Sequence, residues 1–228
     1  MHILQSFYGA FTYAFLSLFS IVNPIGMAPI FLNMTKDYQP VERYQIARRV
    51  AIYGSGLLIA ALFFGLSILR FFGISLPFIQ VSGGLLVFFT AWEMLNAKPK
   101  IKPDEELEAL HSHDITFFPL TMPITAGAGS LAITIAIASS LGHDPTWDTG
   151  SQYLGVIAAM ILVFFSVWIC YRFSDSIFTK LGNTGTSVAT RLTAFILLAI
   201  GLQMVWGGFQ QLILTTMQLA VSMKPLVF

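Results

Sequence analysis

Six apolar segments alternate with shorter polar stretches along the 228 residues of this chain. A helix needs about 20 mostly apolar residues to cross a bilayer, so each segment predicts one membrane-spanning helix. The predicted helices cover residues 7–35, 50–72, 76–96, 115–141, 153–173 and 190–219. The pattern therefore predicts an all-α polytopic membrane protein with a single membrane domain over residues 1–228.

Prolines interrupt two of the predicted helices, one in each half of the chain. Residues 23–29 read Asn-Pro-Ile-Gly-Met-Ala-Pro, and residues 122–129 read Met-Pro-Ile-Thr-Ala-Gly-Ala-Gly. Proline removes a backbone donor and clashes with the preceding turn, so helices 1 and 4 are predicted to be discontinuous. Lipid cannot replace the lost hydrogen bonds, and a broken helix must therefore face protein or a water-filled cavity. A matched pair of breaks is typical of a transporter binding site.

Each half of the chain has three predicted helices, and in each half the first helix is the broken one. Residues 1–96 form a predicted first three-helix repeat, residues 97–114 a cytoplasmic loop, and residues 115–228 a second three-helix repeat. Because three is odd, the second repeat enters from the opposite side, and the pair is an inverted repeat. One break comes late in its helix and the other early, which predicts that both lie nearer the cytoplasm than the midplane. Whether helix 4 begins earlier or the broken segments are partly re-entrant stays open.

The basic residues predict the orientation of the chain in the membrane. Ten of the twelve Lys and Arg residues lie in or beside the loops that follow helices 1, 3 and 5, and only Arg70 and Lys224 lie on the other side. Basic loops stay in the cytoplasm, so both termini are expected outside it. The first apolar segment has no Lys or Arg before it and no cleavage site after it, and we expect a retained span.

Composition narrows the class of protein further. The chain is 56% hydrophobic and 10% charged, against roughly 25% charged residues in soluble domains. The basic residues form no continuous face that would indicate binding to nucleic acid. The single cysteine, Cys170, excludes an internal disulfide and a cysteine-based metal cluster. His111 and His113 stand on a loop and make a poor metal site. We expect no metal, no cofactor and no enzymatic activity.

The two breaks supply the groups that a zwitterionic solute needs. Amino ends of half-helices attract a carboxylate, and carboxyl ends attract a cation. The alternative is a pair of proline kinks satisfied by neighbouring helices. The predicted substrate-binding residues come from both breaks: Asn23, Pro24, Gly26, Pro29, Pro123, Thr125, Gly127 and Gly129.

Glu93 is the one carboxylate inside a predicted span. An ionisable residue there indicates function by default, and Glu93 is the candidate for coupling a proton to solute movement. The alternative is a glutamate that reaches the cytoplasmic interface or pairs with a loop lysine, because Glu93 lies only one turn from the end of its helix.

Six short motifs follow one another along nearly the whole chain. They are NPIGMAPIF at 23–31, FGIS at 72–75, VSGGLL at 81–86, EML at 93–95, PLTMPITAGAG at 119–129 and TRL at 190–192. In this order they resemble the MarC family of integral membrane proteins. The chain departs from the family's usual pattern at Ala128, where a second proline is usual, and at Gln80, where an arginine is usual.

The resemblance implies six spans and kinship with the LysE-type exporter superfamily. SnatA-like members of the family are described as cation-driven transporters of small neutral amino acids such as glycine and alanine. The leading hypothesis is therefore a proton-coupled secondary transporter of such amino acids in the inner (plasma) membrane of a prokaryote. An exporter or channel for another small solute and a non-transporting membrane scaffold are the alternatives. The expected partners are a neutral amino acid, a proton or other cation and the lipid bilayer; a homo-oligomer stays open.

Overall fold

A computed structural model describes residues 2–96, 115–141 and 146–222. Within these ranges the regular structure is helical and no strand occurs. The predicted cytoplasmic loop 97–114, with its three lysines and two histidines, lies outside the described residues, as do His143 and Lys224.

Six regular helices and one irregular segment make up the described chain. They are α1 (His2–Val22), α2 (Pro24–Met34), α3 (Pro40–Phe71), α4 (Leu76–Asn96), the irregular segment (Thr116–Thr125), α5 (Ala128–Ser140) and α6 (Trp147–Ser222). Five stretches are long and apolar enough to cross a membrane: Ile3–Met34, Pro40–Phe71, Leu76–Asn96, Trp147–Ser176 and Thr190–Gln218. These stretches correspond to five of the six predicted helices, and the chain is an integral multi-pass membrane protein.

The predicted fourth helix differs most from the expectation. The predicted break near Pro123 is present, but it extends further than expected: the chain forms the irregular segment and then α5, which has 13 residues. At 1.5 Å per residue, α5 is about 20 Å long, against about 30 Å for the hydrocarbon core. The break is longer than the sequence indicated, because two prolines, Pro119 and Pro123, act within five residues.

The backbone is helical throughout α6, although a loop between two spans was predicted within it. The first and last stretches of α6 nevertheless run in opposite directions. Near its start, Gly155 contacts the backbone of Phe7 at the beginning of α1. Further along, Tyr171 stacks on Phe31 in α2, with ring centroids 4.3 Å apart. The second stretch then returns, because Gly208 lies against Pro77 at the start of α4. The chain therefore reverses direction between Trp147–Ser176 and Thr190–Gln218.

Small residues allow α4 and the second stretch of α6 to approach closely. A Cβ on Gly84 would lie 2.8 Å from the carbonyl oxygen of Gly201, and a Cβ on Gly201 would lie 2.7 Å from the amide nitrogen of Phe88. Such contacts are how membrane helices associate without a hydrophobic driving force. They fix α4 beside the core although few of its other residues are buried.

Most charged residues of the described chain lie towards one end of the bundle, and Arg70 and Asp148 lie towards the other. Arg43 at the start of α3 pairs with Asp175 of α6 at 3.2 Å, and the guanidinium of Arg172 lies 4.6 Å from the ring centre of Tyr44. Asp175 is 59% exposed, so the ion pair contributes little to stability. The pair lies at the end of the bundle where the basic loops are predicted.

Candidate functional site

The first break is made by a single residue, Asn23. Its φ of 46° and ψ of 64° place it in the left-handed region, which asparagine tolerates better than other residues with a side chain. Its amide N–H still donates to the carbonyl of Phe19 at 2.9 Å, and its side-chain oxygen accepts from the N–H of Gly26 at 3.2 Å. Asn23 therefore ends α1 and caps α2.

Prolines shape the chain on the far side of Asn23. Pro24 is the first residue of α2, a position at which the missing N–H loses no hydrogen bond within α2 itself. The same missing N–H leaves the carbonyl of Ser20, four residues earlier, without its helical donor. Gly26 is buried and packs against Thr193 so closely that a Cβ would collide with it. These residues set the direction of α2.

The second break consists of two wide turns, each interrupted by an extended residue. Phe118 and Met122 have φ and ψ near −123° and 123°, and each immediately precedes a proline, which disfavours helical geometry at the residue before it. The flanking turns close through bonds that span five residues, from the N–H of Leu120 to the carbonyl of Ile115 and from that of Ala126 to Thr121. Two Pro-x-Thr units thus unwind the helix in steps.

Buried threonines replace part of the hydrogen bonding that the prolines remove. The hydroxyl of Thr121 donates to the carbonyl of Thr116, and that of Thr125 donates to the carbonyl of Leu120, both at 2.7 Å. Thr125 also shares a 2.8 Å hydrogen bond with the phenol of Tyr171. These bonds satisfy two carbonyl groups of the irregular segment inside protein, as the membrane interior requires.

Both breaks border the same cavity, whose volume is about 220 Å³. Drug-sized ligand pockets measure roughly 300–1,000 Å³, so the cavity is sized for a small solute. The residues that line it come from α1, α2, α4, the irregular segment, α5 and α6: Ile21, Met27, Leu86, Val87, Thr90, Ile124, Thr125, Gly127, Ala128, Gly129, Ser130 and Leu197.

Three of the predicted site residues, Thr125, Gly127 and Gly129, line the cavity directly. Gly129 is required there, because a Cβ would collide with Val87 and would lie 2.8 Å from Ile21. The four predicted residues of the first break, Asn23, Pro24, Gly26 and Pro29, shape α2 without lining the cavity; Met27 lines it instead. The side chain of Pro123 lies outside the part of the structure that is described.

Sequence reasoning missed the contributions of α4 and α6 to the cavity. Leu86, Val87 and Thr90 of α4 and Leu197 of α6 all reach it. Thr90 was the one sign of this contribution in the sequence, because it places a hydroxyl group in an otherwise apolar run. The residues that face Thr90 across the cavity cannot be identified from the local sequence. Long-range packing alone places these side chains.

Glu93 does not line the cavity, and its side chain is exposed. It lies seven residues after Leu86 and three after Thr90, which places all three on one face of α4. Glu93 therefore stands one turn from the cavity rim, towards the charged end of the bundle. Among the described residues, no group of three or more His, Cys, Asp and Glu side chains could hold a metal ion.

The amino end of α5 borders the cavity, and α1 reaches the cavity near its own carboxyl end. The first backbone bond of α5 runs from the N–H of Leu131 to the carbonyl of Gly127, so the N–H groups of residues 128–130 have no acceptor within the helix. Ile21, near the carboxyl end of α1, lines the cavity from the other break. The amino end of a helix carries partial positive charge and the carboxyl end partial negative charge.

An all-helical bundle with five membrane-spanning stretches, and with two broken segments beside one small cavity, defines the class as a multi-pass membrane protein. A family model described as MarC family integral membrane protein matches residues 8–213, and the chain belongs to this family. The chain is 36% identical over 202 residues to the UPF0056 membrane protein YvbG of Bacillus subtilis strain 168, covering 87% of this chain and 93% of that one.

Other relatives match over a similar length. A UPF0056 membrane protein of Aquifex aeolicus is 32% identical over 213 residues, which is 92% of this chain and 97% of the relative. The UPF0056 inner membrane protein MarC of Citrobacter koseri is 31% identical over 212 residues, covering 87% and 93%. No solved structure matches the chain.

Proposed function

We propose that this protein is a secondary transporter of small neutral amino acids of the glycine and alanine class, coupled to protons. The observation that carries the proposal is the convergence of both helix breaks on one cavity of about 220 Å³. Broken helices at a repeat interface are the usual construction of a transporter's substrate site.

The polarity of the cavity suits a zwitterion. Free N–H groups at the start of α5 complement a carboxylate, and the carboxyl end of α1 complements an ammonium group. Apart from the hydroxyls of Thr90, Thr125 and Ser130, the remaining lining is apolar. A short neutral side chain fits such a lining, whereas a charged one would be buried without a partner.

The directions of the packed elements support six crossings arranged as an inverted repeat. Tyr53 of α3 contacts Phe117, and Gly65 further along α3 contacts Ile135 of α5. The irregular segment and α5 therefore run parallel to α3, and together they supply the sixth crossing. With the basic residues at the cytoplasmic end, both termini lie outside the cytoplasm. The Citrobacter koseri relative is named as an inner membrane protein, which supports the same membrane here.

Uptake by reconstituted vesicles tests the proposal. The full chain in liposomes is expected to accumulate labelled alanine or glycine when a pH gradient is imposed. Gly129→Ala should abolish most of this uptake, because the added Cβ collides with Val87 and Ile21 in the cavity wall. Gly56→Ala is the matched control, since its Cβ meets nothing within 4 Å. Absence of gradient-dependent movement of every neutral amino acid would refute the proposal.

A further inference from the structure

The hydroxyl groups that line the cavity have all committed their protons to the backbone. Thr90 donates to the carbonyl of Leu86 at 2.8 Å, and Ser130 donates to that of Gly127 at 2.8 Å. Thr125 donates to the carbonyl of Leu120 at 2.7 Å. A hydroxyl has one proton and two lone pairs, so these oxygens offer the cavity only hydrogen-bond acceptance.

Thr125 is the most constrained of the three. Its proton is engaged with Leu120, so in the 2.8 Å bond to Tyr171 the phenol must be the donor. Tyr171 is held in turn by Phe31 of α2, with the two rings 14° from parallel. Thr125 is 2% exposed and Tyr171 1% exposed. These two bonds leave one lone pair of the Thr125 oxygen unused.

We propose that Thr125, positioned by Tyr171, is the residue that selects the ammonium group of the solute. This inference rests on the proposed function and adds an orientation to it. A carboxylate is excluded from Thr125, because an acceptor oxygen with a committed proton repels another acceptor. The carboxylate lies instead at the N–H groups that begin α5. A solute needs a free amino group to bind, and Tyr171 acts only through Thr125.

Ligand binding to the purified full chain tests this selection. Melting of the wild type in detergent is followed by tryptophan fluorescence with L-alanine, N-acetylalanine, propionate or propylamine present. Alanine should stabilise the protein, and the two ligands without an ammonium group should not. Thr125→Val should raise the Kd for alanine about tenfold, the worth of one hydrogen bond to a charged group. Thr125→Ser keeps the acceptor oxygen, so its Kd for alanine should stay within about twofold of the wild-type value. A lost hydrogen bond would raise the Kd by more than this.

Two further variants separate selection from folding. Thr134→Val removes another fully buried threonine hydroxyl, which has no partner in the structure and does not line the cavity. This control should leave the Kd unchanged. Tyr171→Phe keeps the ring stack and removes only the phenol donor, and should raise the Kd about threefold because the Thr125 side chain loses one of the two hydrogen bonds that hold it in place. This variant keeps the test decisive if Thr125→Val does not fold.

The outcomes distinguish this inference from the proposed function. If alanine binds with the same Kd to the wild type, Thr125→Val and Tyr171→Phe, the selection by Thr125 is refuted and amino-acid transport stands. If propylamine binds in a Thr125-dependent manner and amino acids do not, the subsite stands and the proposed function falls. If neither alanine nor propylamine stabilises the wild type, both are refuted. Equal binding of N-acetylalanine and alanine also overturns the selection.

Discussion

Asn23 is the residue on which the first break depends. It combines a left-handed backbone with a side-chain cap on the N–H of Gly26. Asn23→Ala loses the cap and strains the backbone, and we expect a loss of about 1–2 kcal/mol in the free energy of unfolding. Asn23→Gly should lose less, because glycine adopts this conformation freely. Thermal denaturation in detergent makes the comparison, and equal losses for both variants would contradict the role of the left-handed geometry.

Glu93 is the residue through which proton coupling is predicted to act. It is exposed on the face of α4 that also carries the cavity residues Leu86 and Thr90. Glu93→Gln cannot exchange a proton, so alanine uptake should continue down a concentration gradient and lose its response to an imposed pH gradient. The matched control is Glu42→Gln at the start of α3, where glutamine preserves the helix cap. Unchanged pH dependence in Glu93→Gln would remove Glu93 from the mechanism.

At the scale of elements, the amino end of α5 carries the carboxylate half of the proposed site. Ala128 is its first residue, a position that accepts proline because the N–H has no helical acceptor. Ala128→Pro should therefore leave stability within about 0.5 kcal/mol and raise the KM for alanine several-fold, since one donor to the carboxylate is lost.

A second proline variant controls for the fold of α5. Leu131→Pro removes the bond to the carbonyl of Gly127, and should destabilise the protein by about 3 kcal/mol. A KM for Ala128→Pro equal to that of the wild type would show that the amino end of α5 does not hold the carboxylate. The two variants together separate binding from helix integrity.

The sequence predicts elements well where hydropathy alone decides them. The span Leu76–Asn96 begins and ends where the apolar run does, because membrane insertion depends on local composition. The break at Asn23 was also predicted, since proline acts on its own neighbours. The wide turns of the irregular segment were not predicted, because they depend on buried hydroxyls such as Thr125 meeting Tyr171, 46 residues away.

At the scale of the molecule, the cavity wall depends on packing that no local pattern contains. Val87 of α4 and Leu197 of α6 meet the breaks only because the second stretch of α6 turns back along α4. Gly84 and Gly201 permit that approach, but glycines in membrane helices are too common to identify their partners in advance. The fold class was therefore predictable, and the composition of the site was predictable only for the residues within the breaks.

The orientation of the molecule is a separate prediction. In a Cys170→Ala background, Gly150→Cys at the start of α6 should react with a membrane-impermeant thiol reagent in intact cells. Lys36→Cys, an exposed position between α2 and α3, should react only after the membrane is permeabilised. The opposite pattern of labelling would invert the assigned topology.

The central claim is that the two breaks form one solute site, and protection from alkylation tests it most directly. Met27→Cys reports on the first break and Ile124→Cys on the second, each in the Cys170→Ala background, and both positions line the cavity. Ser139→Cys, on the exposed part of α5, is the control. We predict that alanine slows labelling at both cavity positions with the same concentration dependence and leaves the control unchanged. Labelling that alanine does not alter at either break, or alters at one break only, would contradict a shared site.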